Sequence, residues 1–195
     1  MEKSGFAMRW LIRKRVLLLL LIGLIGVLFL NSNWLARMMY PIEFKEDIRA
    51  SASNYGVDPH LIAAIIRTET NYSTGQVSKK GALGLMQIMP DTADWIFQKA
   101  DFKNVTEDML QNRPDVSIEV GAWYLQSLHK QFDQNTVAVI AAYNAGPGNV
   151  RKWLDSGKWD GKLDTADQIP YGETRHYVQR VIYYYNKYKD LYPIL

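Results

Sequence analysis

The sequence predicts a mainly α fold: a single helical domain with one small β-hairpin, preceded by one N-terminal transmembrane helix. Three observations carry this reading. Val16–Leu30 is fifteen residues without a charged or polar side chain, directly behind Arg13, Lys14 and Arg15. From Glu43 onward, apolar residues recur at helical spacing between capping residues and Gly or Pro stops. Residues 74–84, rich in Gly, Ser and Lys, break that pattern and read as an irregular turn or small hairpin.

The N-terminal segment sets the topology. Lys and Arg stay on the cytoplasmic side of a membrane, so residues 1–15 are expected inside and everything after the apolar run outside. Fifteen residues is short against the roughly 20 of a full span. Arg15 can snorkel at one end, and Trp34, Leu35 and Ala36 extend the other, which gives an anchor over residues 16–36. A cleaved signal peptide has an apolar core of similar length, but Leu30-Asn31-Ser32-Asn33-Trp34 offers no small-x-small cleavage site. Either reading exports the rest of the chain. Residues 37–42 are expected as a tether and 43–195 as one domain.

Within that domain, Glu43–Tyr55 reads as a charged amphipathic helix stopped by Gly56. Asp58-Pro59 opens the next, an N-cap acid followed by Pro at the first helical position, with Leu61, Ile62, Ile65 and Ile66 on its apolar face. After the turn, Pro90 starts a helix carrying Trp95, Ile96 and Phe97. Thr106–Gln111 is a short helix and Asp115–Phe132 a long one. Asn135 caps Thr136–Tyr143, which stops at Gly146-Pro147-Gly148. Val150–Leu154 is short, 159–172 is loop, and Thr174–Leu191 closes the chain.

Composition removes several functions. At 195 residues the chain has room for one domain of usual size. It has no cysteine, which excludes a disulfide scaffold, a thiolate metal site and a Cys nucleophile. The net charge of +3 is concentrated at the N-terminus: residues 1–33 carry about +4 and the remaining 162 sum to −1. A nearly neutral domain argues against nucleic acid as a partner. No phosphate loop, dinucleotide fingerprint or Ser elbow is present. His60, His129 and His176 lack metal-ligand spacing and read as surface or helix-face residues.

Three places remain for chemistry. Glu69 lies four residues after Ile65 and three after Ile66, so it ends a helix on its apolar side. A carboxyl there is partly desolvated, its pKa is raised, and it suits a general acid. The plainer alternative is a solvated helix-end Glu, or one paired with Arg67. The second place is Gly81–Pro90, where Gln87 is a neutral donor and acceptor inside an apolar run, suited to a sugar or to its own backbone. The third is Ala141–Asn149, where Tyr143 and Asn144 sit on the last turn of a helix, as wall residues or as an ordinary helix end. The tyrosines at 183–185, 188 and 192 suit packing more than sugar stacking, and Lys79 and Lys80 read as a solvated turn.

Together, Glu69-Thr-Asn-Tyr72, Gly84-Leu-Met-Gln87, Ala142-Tyr-Asn-Ala-Gly146 and Glu173-Thr-Arg-His-Tyr177 resemble, in this order, the motifs of the soluble lytic transglycosylases. The resemblance covers about residues 43–190. It implies the goose-type lysozyme fold, hence an α+β lysozyme-like domain, and peptidoglycan glycan strands as substrate. Glu69 matches the single catalytic glutamate. Ser78 matches a serine that holds the carboxylate or the substrate's acetamido group. Met86 and Gln87 match groove-lining residues, Tyr143 and Asn144 one wall, and Tyr177 a tyrosine that closes the site. Thr70 stands where the family has Ser, and it keeps the hydroxyl. No second carboxylate lies in the first three of these motifs, and Glu173 and Asp91 are candidates to fold nearby. No cofactor or metal is implied. The family's reaction ends in a 1,6-anhydromuramic acid. A goose-lysozyme-type hydrolase cutting the same bond, and a non-catalytic glycan-binding module, are the alternatives.

Overall fold

The computed structural model describes residues 3–30 and 33–195, with side chains described at positions 10, 13–29 and 33–195. The chain divides into two compact units, Met1–Pro41 and Ile42–Leu195.

The first unit holds α1 (Lys3–Leu30) and α2 (Trp34–Met39). Apolar residues surround α1 on every side over its second half, with no polar face. The Lys14 ammonium sits 3.5 Å from the centre of the Trp10 ring, one turn back along α1. Phe29 and Trp34 meet with ring centres 5.3 Å apart. Among the described residues no helix is long and apolar enough to cross a membrane. Asn31 and Ser32, part of the expected anchor and of the segment read for a cleavage site, lie outside the described residues. The expected tether is helical as far as Met39.

The second unit contains α3 (Lys45–Tyr55), α4 (Pro59–Glu69), α5 (Pro90–Lys99), α6 (Glu107–Asn112), α7 (Pro114–Gln131), α8 (Thr136–Ala145), α9 (Pro147–Asp155) and α10 (Gly172–Leu191). Two caps, Asp58 and Asn135, are the residues expected, and Thr106, expected as a first helical residue, is a third. The Asp58 carboxylate accepts from the His60 amide, Thr106 from the Met109 amide, and Asn135 from the amides of Val137 and Ala138. Several boundaries differ: α3 starts at Lys45 instead of Glu43, α8 runs on to Ala145, α10 starts at Gly172, and α9 starts at Pro147 instead of Val150. Gly146-Pro147 ends α8 and at the same time begins α9, because Pro147 serves as the first helical residue of the next element.

No strand forms among the described residues, so the expected β-hairpin is corrected to two isolated bridges, Val77 with Leu83 and Leu83 with Ile88. The cause is local. Gly81, Gly84 and Gln87 all have left-handed backbone angles, so no two successive residue pairs stay extended. Gly84 is required there twice over: its φ is +71°, and a Cβ would collide with the Leu110 carbonyl oxygen.

α4 is the central helix, with every side chain from Leu61 to Ile66 buried. α10 lies against it, α3 and α7 also pack on it, and α8 packs on α10 and α7. The two helices run antiparallel. The His60 ring, at the start of α4, is 2.6 Å from the Tyr192 carbonyl just beyond the end of α10, whereas Glu69 meets the early α10 residue Tyr177. His60 is therefore a buried tie, bonded also to Asp58 at 3.0 Å, while Tyr185 donates to the other Asp58 oxygen at 2.7 Å.

Candidate active site

Glu69 is the last residue of α4, where the helix leaves the core. Thr70 then caps the helix, and its hydroxyl donates to the Leu85 carbonyl at 2.9 Å. Asn71 and Tyr72 follow in left-handed conformation and reverse the chain. The Tyr72 hydroxyl returns to the Ala63 carbonyl at 3.2 Å, which pins the reversal to α4. Glu69 is thereby held at the edge of the apolar core and opens onto a cleft of about 320 Å³. Burial raises its pKa to about 7. Three neighbours modulate this. The Tyr177 hydroxyl, donating to Oε1 at 2.7 Å, and the Arg180 guanidinium both lower the pKa, and Glu173 raises it.

The walls come from three other segments. Ser78, Gln87, Tyr143 and Asn144 all line the same cleft as Glu69. The Ser78 oxygen accepts from the amides of Ala82 at 2.9 Å and Lys80 at 3.2 Å, so its own hydrogen is what it can offer. Gln87, at φ +51°, donates its side-chain amide to the Gly84 carbonyl at 2.8 Å, which leaves the amide oxygen as an acceptor. Tyr143 donates to the Met86 carbonyl at 2.8 Å, and burial together with the Glu69 carboxyl pushes its own pKa well up. Asn144 accepts from the buried Thr174 hydroxyl at 2.7 Å. Tyr177 is itself buried and reaches the site through its hydroxyl alone.

Two expected site residues are placed differently. The Met86 side chain is fully buried against Gly121 and does not line the cleft. Its contribution is the backbone: its carbonyl holds Tyr143 and its amide donates to the buried Ser117 hydroxyl at 3.1 Å. Asp91 does not line the Glu69 cleft but a cavity farther along, with Trp95. Glu173 does line the central cleft, but it is exposed and paired with Lys80 at 3.0 Å. Lys80, read as a solvated turn, thus belongs to the rim. Thr174, Ser117 and Arg180 were not singled out from the sequence. Arg180 alone had a local signal, three residues after Tyr177 on one helix face. Among the described residues no three His, Cys, Asp or Glu side chains group as metal ligands.

A family profile, the transglycosylase SLT domain, matches residues 46–165, which include α4, the bridged turn and α8. The chain belongs to the transglycosylase SLT domain family. Among SLT-domain relatives, the soluble lytic murein transglycosylase of Escherichia coli (strain K12) is 34% identical over 148 residues, covering 74% of this chain and 23% of the relative. The membrane-bound lytic murein transglycosylase C of Edwardsiella ictaluri is 36% identical over 125 residues, covering 60% and 34%. The lytic transglycosylase Slt of Pseudomonas aeruginosa, solved as an inactive glutamate-to-glutamine mutant, superposes with a TM-score of 0.72 at 37% identity, covering 79% of this chain and 25% of that one. The 70 kDa soluble lytic transglycosylase of Escherichia coli gives 0.74 at 32% identity, with the same shares, and a complex of a 70 kDa soluble lytic transglycosylase with bulgecin A gives 0.74 at 31%. The chain spans about a quarter of the length of the soluble SLT proteins that it matches. Its SLT fold is mainly helical and lysozyme-like.

Proposed function

We propose that the protein is a membrane-anchored murein lytic transglycosylase. It cleaves the β-1,4 bond between N-acetylmuramic acid and N-acetylglucosamine and leaves 1,6-anhydromuramic acid. The observation that carries this is the Glu69 carboxyl: largely buried, with a pKa near 7, tied to Tyr177, and open to a polar cleft. Such a group is protonated often enough at neutral pH to be an acid and gives up its proton readily enough to become a base. With Oε1 occupied by Tyr177, Oε2 is the oxygen left to carry the proton that moves.

The sequence of events follows. Glu69 protonates the glycosidic oxygen and the bond to the anomeric carbon breaks. The substrate's acetamido oxygen stabilises the positive charge developing there, oriented by the Ser78 hydroxyl and the wall of Gln87 and Asn144. Glu69, now a carboxylate, takes the proton from the muramyl 6-hydroxyl, whose oxygen closes on the anomeric carbon. Holding that hydroxyl on the same sugar replaces a free water and supplies effective molarity. A two-carboxylate hydrolysis needs a second group to activate water. Glu173 is the other carboxylate at the cleft, and its exposed pairing with Lys80 suits it poorly to that task. The glutamate-to-glutamine change that inactivates the Pseudomonas aeruginosa relative fits a glutamate as the acid.

The proposed anchor rests on the apolar second half of α1, which by itself is not long and apolar enough to cross a membrane, together with Trp34, Leu35 and Ala36. A helix apolar on every side is stable when surrounded by lipid, whereas in water each exposed residue of the run is unfavourable. Lys14, folded back over Trp10, turns its charge away from the apolar run, as snorkelling at a membrane face requires. Residues 1–15 are then cytoplasmic, 16–36 the single pass, 37–42 a tether, and 43–195 the catalytic domain outside the membrane.

The test is digestion of purified peptidoglycan by the full chain beside its Glu69→Gln variant, with the released muropeptides read by mass spectrometry. The expected products are one water lighter than reducing-end muropeptides and are absent with the variant, which still binds glycan. Reducing-end products would instead assign a goose-lysozyme-type hydrolase. Turnover retained in the variant would remove Glu69 from the chemistry.

A further inference from the structure

The cleft continues beyond Asn144. The central cavity shares Gln87, Met89, Tyr143 and Asn144 with a second cavity of about 250 Å³. That one shares Thr92 and Tyr124 with a third of about 280 Å³, walled also by Asp91, Trp95 and Gln131. Aromatic rings follow the same course. Tyr143 and Tyr124 are 5.4 Å apart between centres, Tyr124 and Trp95 6.3 Å, and Trp95 and Trp123 5.6 Å. Trp95 is braced at steep angles by two of these rings, yet 38% of it stays exposed beside the third cavity. A ring held this way has more support than a mobile surface side chain and less cover than a core one.

We infer that the third cavity is a distal sugar-binding platform, on which Trp95 stacks against one pyranose of a strand whose scissile bond lies at Glu69. The inference rests on the glycan-cleaving reading and extends it to a residue outside the four motifs. A pyranose has a face of polarised C–H bonds and a rim of hydroxyls. The indole face, with its negative quadrupole, meets the first. Asp91 and Gln131, in the lining of the same cavity, meet the second. A carboxylate accepts from two neighbouring hydroxyls, and the Gln131 amide, whose nitrogen donates to the Ser127 hydroxyl at 3.3 Å, keeps its oxygen to accept and one hydrogen to donate. Because the three cavities share walls, one continuous strand reaches the platform without leaving the protein surface. A strand too short to reach Trp95 gives up that contact.

The platform predicts affinity that depends on strand length. The full chain in detergent, carrying Glu69→Gln so that nothing is cut, is titrated calorimetrically with N-acetylglucosamine oligomers from the disaccharide to the octasaccharide. Affinity should rise with length. Adding Trp95→Ala should weaken the longer oligomers by about fivefold to tenfold relative to the shorter, and Trp95→Tyr should restore most of the loss. Asp91→Ala, at an exposed position, reads the same platform with no change to the aromatic packing and should produce a smaller loss of the same length dependence. If affinity climbs with length equally in the parent, Trp95→Ala and Asp91→Ala proteins, the platform is overturned and the glycan reading stands. If the parent binds no oligomer of any length, the glycan reading falls and the platform with it.

Discussion

The proton on Glu69 is held by opposing effects of unequal size. Burial disfavours the carboxylate, Tyr177 and Arg180 favour it, and burial wins, which leaves the pKa near 7 instead of 4.5. If the protonated form starts the reaction, kcat/KM should fall as pH rises through about 7. Tyr177→Phe removes a bond that favours the charged form, so its alkaline limb should move to higher pH. A limb that stays put or moves down would show that Tyr177 does not act on this carboxyl. The same shift enters stability. Between pH 4.5 and 7 the unfolded chain has released this proton and the folded chain still holds it. Glu69 thus supports the fold below pH 4.5, and that support is lost as pH rises through 7, by on the order of 3 kcal/mol. Glu69→Gln should gain in melting temperature over the parent protein across that window and run parallel to it on either side. A constant difference would refute the shift. Glu69 could be read from the sequence because helical spacing alone puts it at the edge of the apolar face of α4. Its partner Tyr177 stands 108 residues away and emerged only through resemblance, since no local pattern joins them. Met86 was misplaced because an apolar residue next to Gln87 suits a wall and a core equally. The choice was made by Gly121, 35 positions on, whose missing side chain makes room for it.

Among the elements, the helices were legible where one residue both ends a loop and caps a helix, as Asp58 and Asn135 do. The segment between α4 and α5 was not, because its shape is set by close approach of other elements. Gly84 lies under the end of α6 and Gly121 under Met86. Both should resist substitution, to different degrees. Gly121→Ala meets the flexible end of a Met side chain and should cost about 1–3 kcal/mol. Gly84→Ala meets a backbone carbonyl in a left-handed conformation and should cost more, since neither partner can give way. Urea denaturation of the two variants ranks them, and equal losses would show that the bridged turn yields as easily as a side chain.

At the scale of the whole molecule, the four motifs were informative as a set because the fold brings them to one cleft from segments more than 100 residues apart. The topology is a separate question. The full chain should sediment with membranes and be released by detergent but not by salt, while residues 42–195 alone should stay in the supernatant and still cut peptidoglycan. Recovery of the full chain in a salt wash would make α1 a peripheral or packing helix. Loss of cutting by the shorter chain would make the first unit part of the working enzyme.

The Lys80–Glu173 pair ties the bridged turn to the start of α10 at the mouth of the cleft, with both side chains more than two-thirds exposed. A contact of this kind is worth only about 0.2–1 kcal/mol. Tied and untied forms therefore stand in a ratio of roughly 1.5 to 5 at room temperature. Exposed side chains exchange rotamers within nanoseconds, whereas enzymes commonly turn over about ten times a second. On the proposed reading, a tie this weak and this quick to exchange is no barrier to a glycan strand entering the cleft from the side.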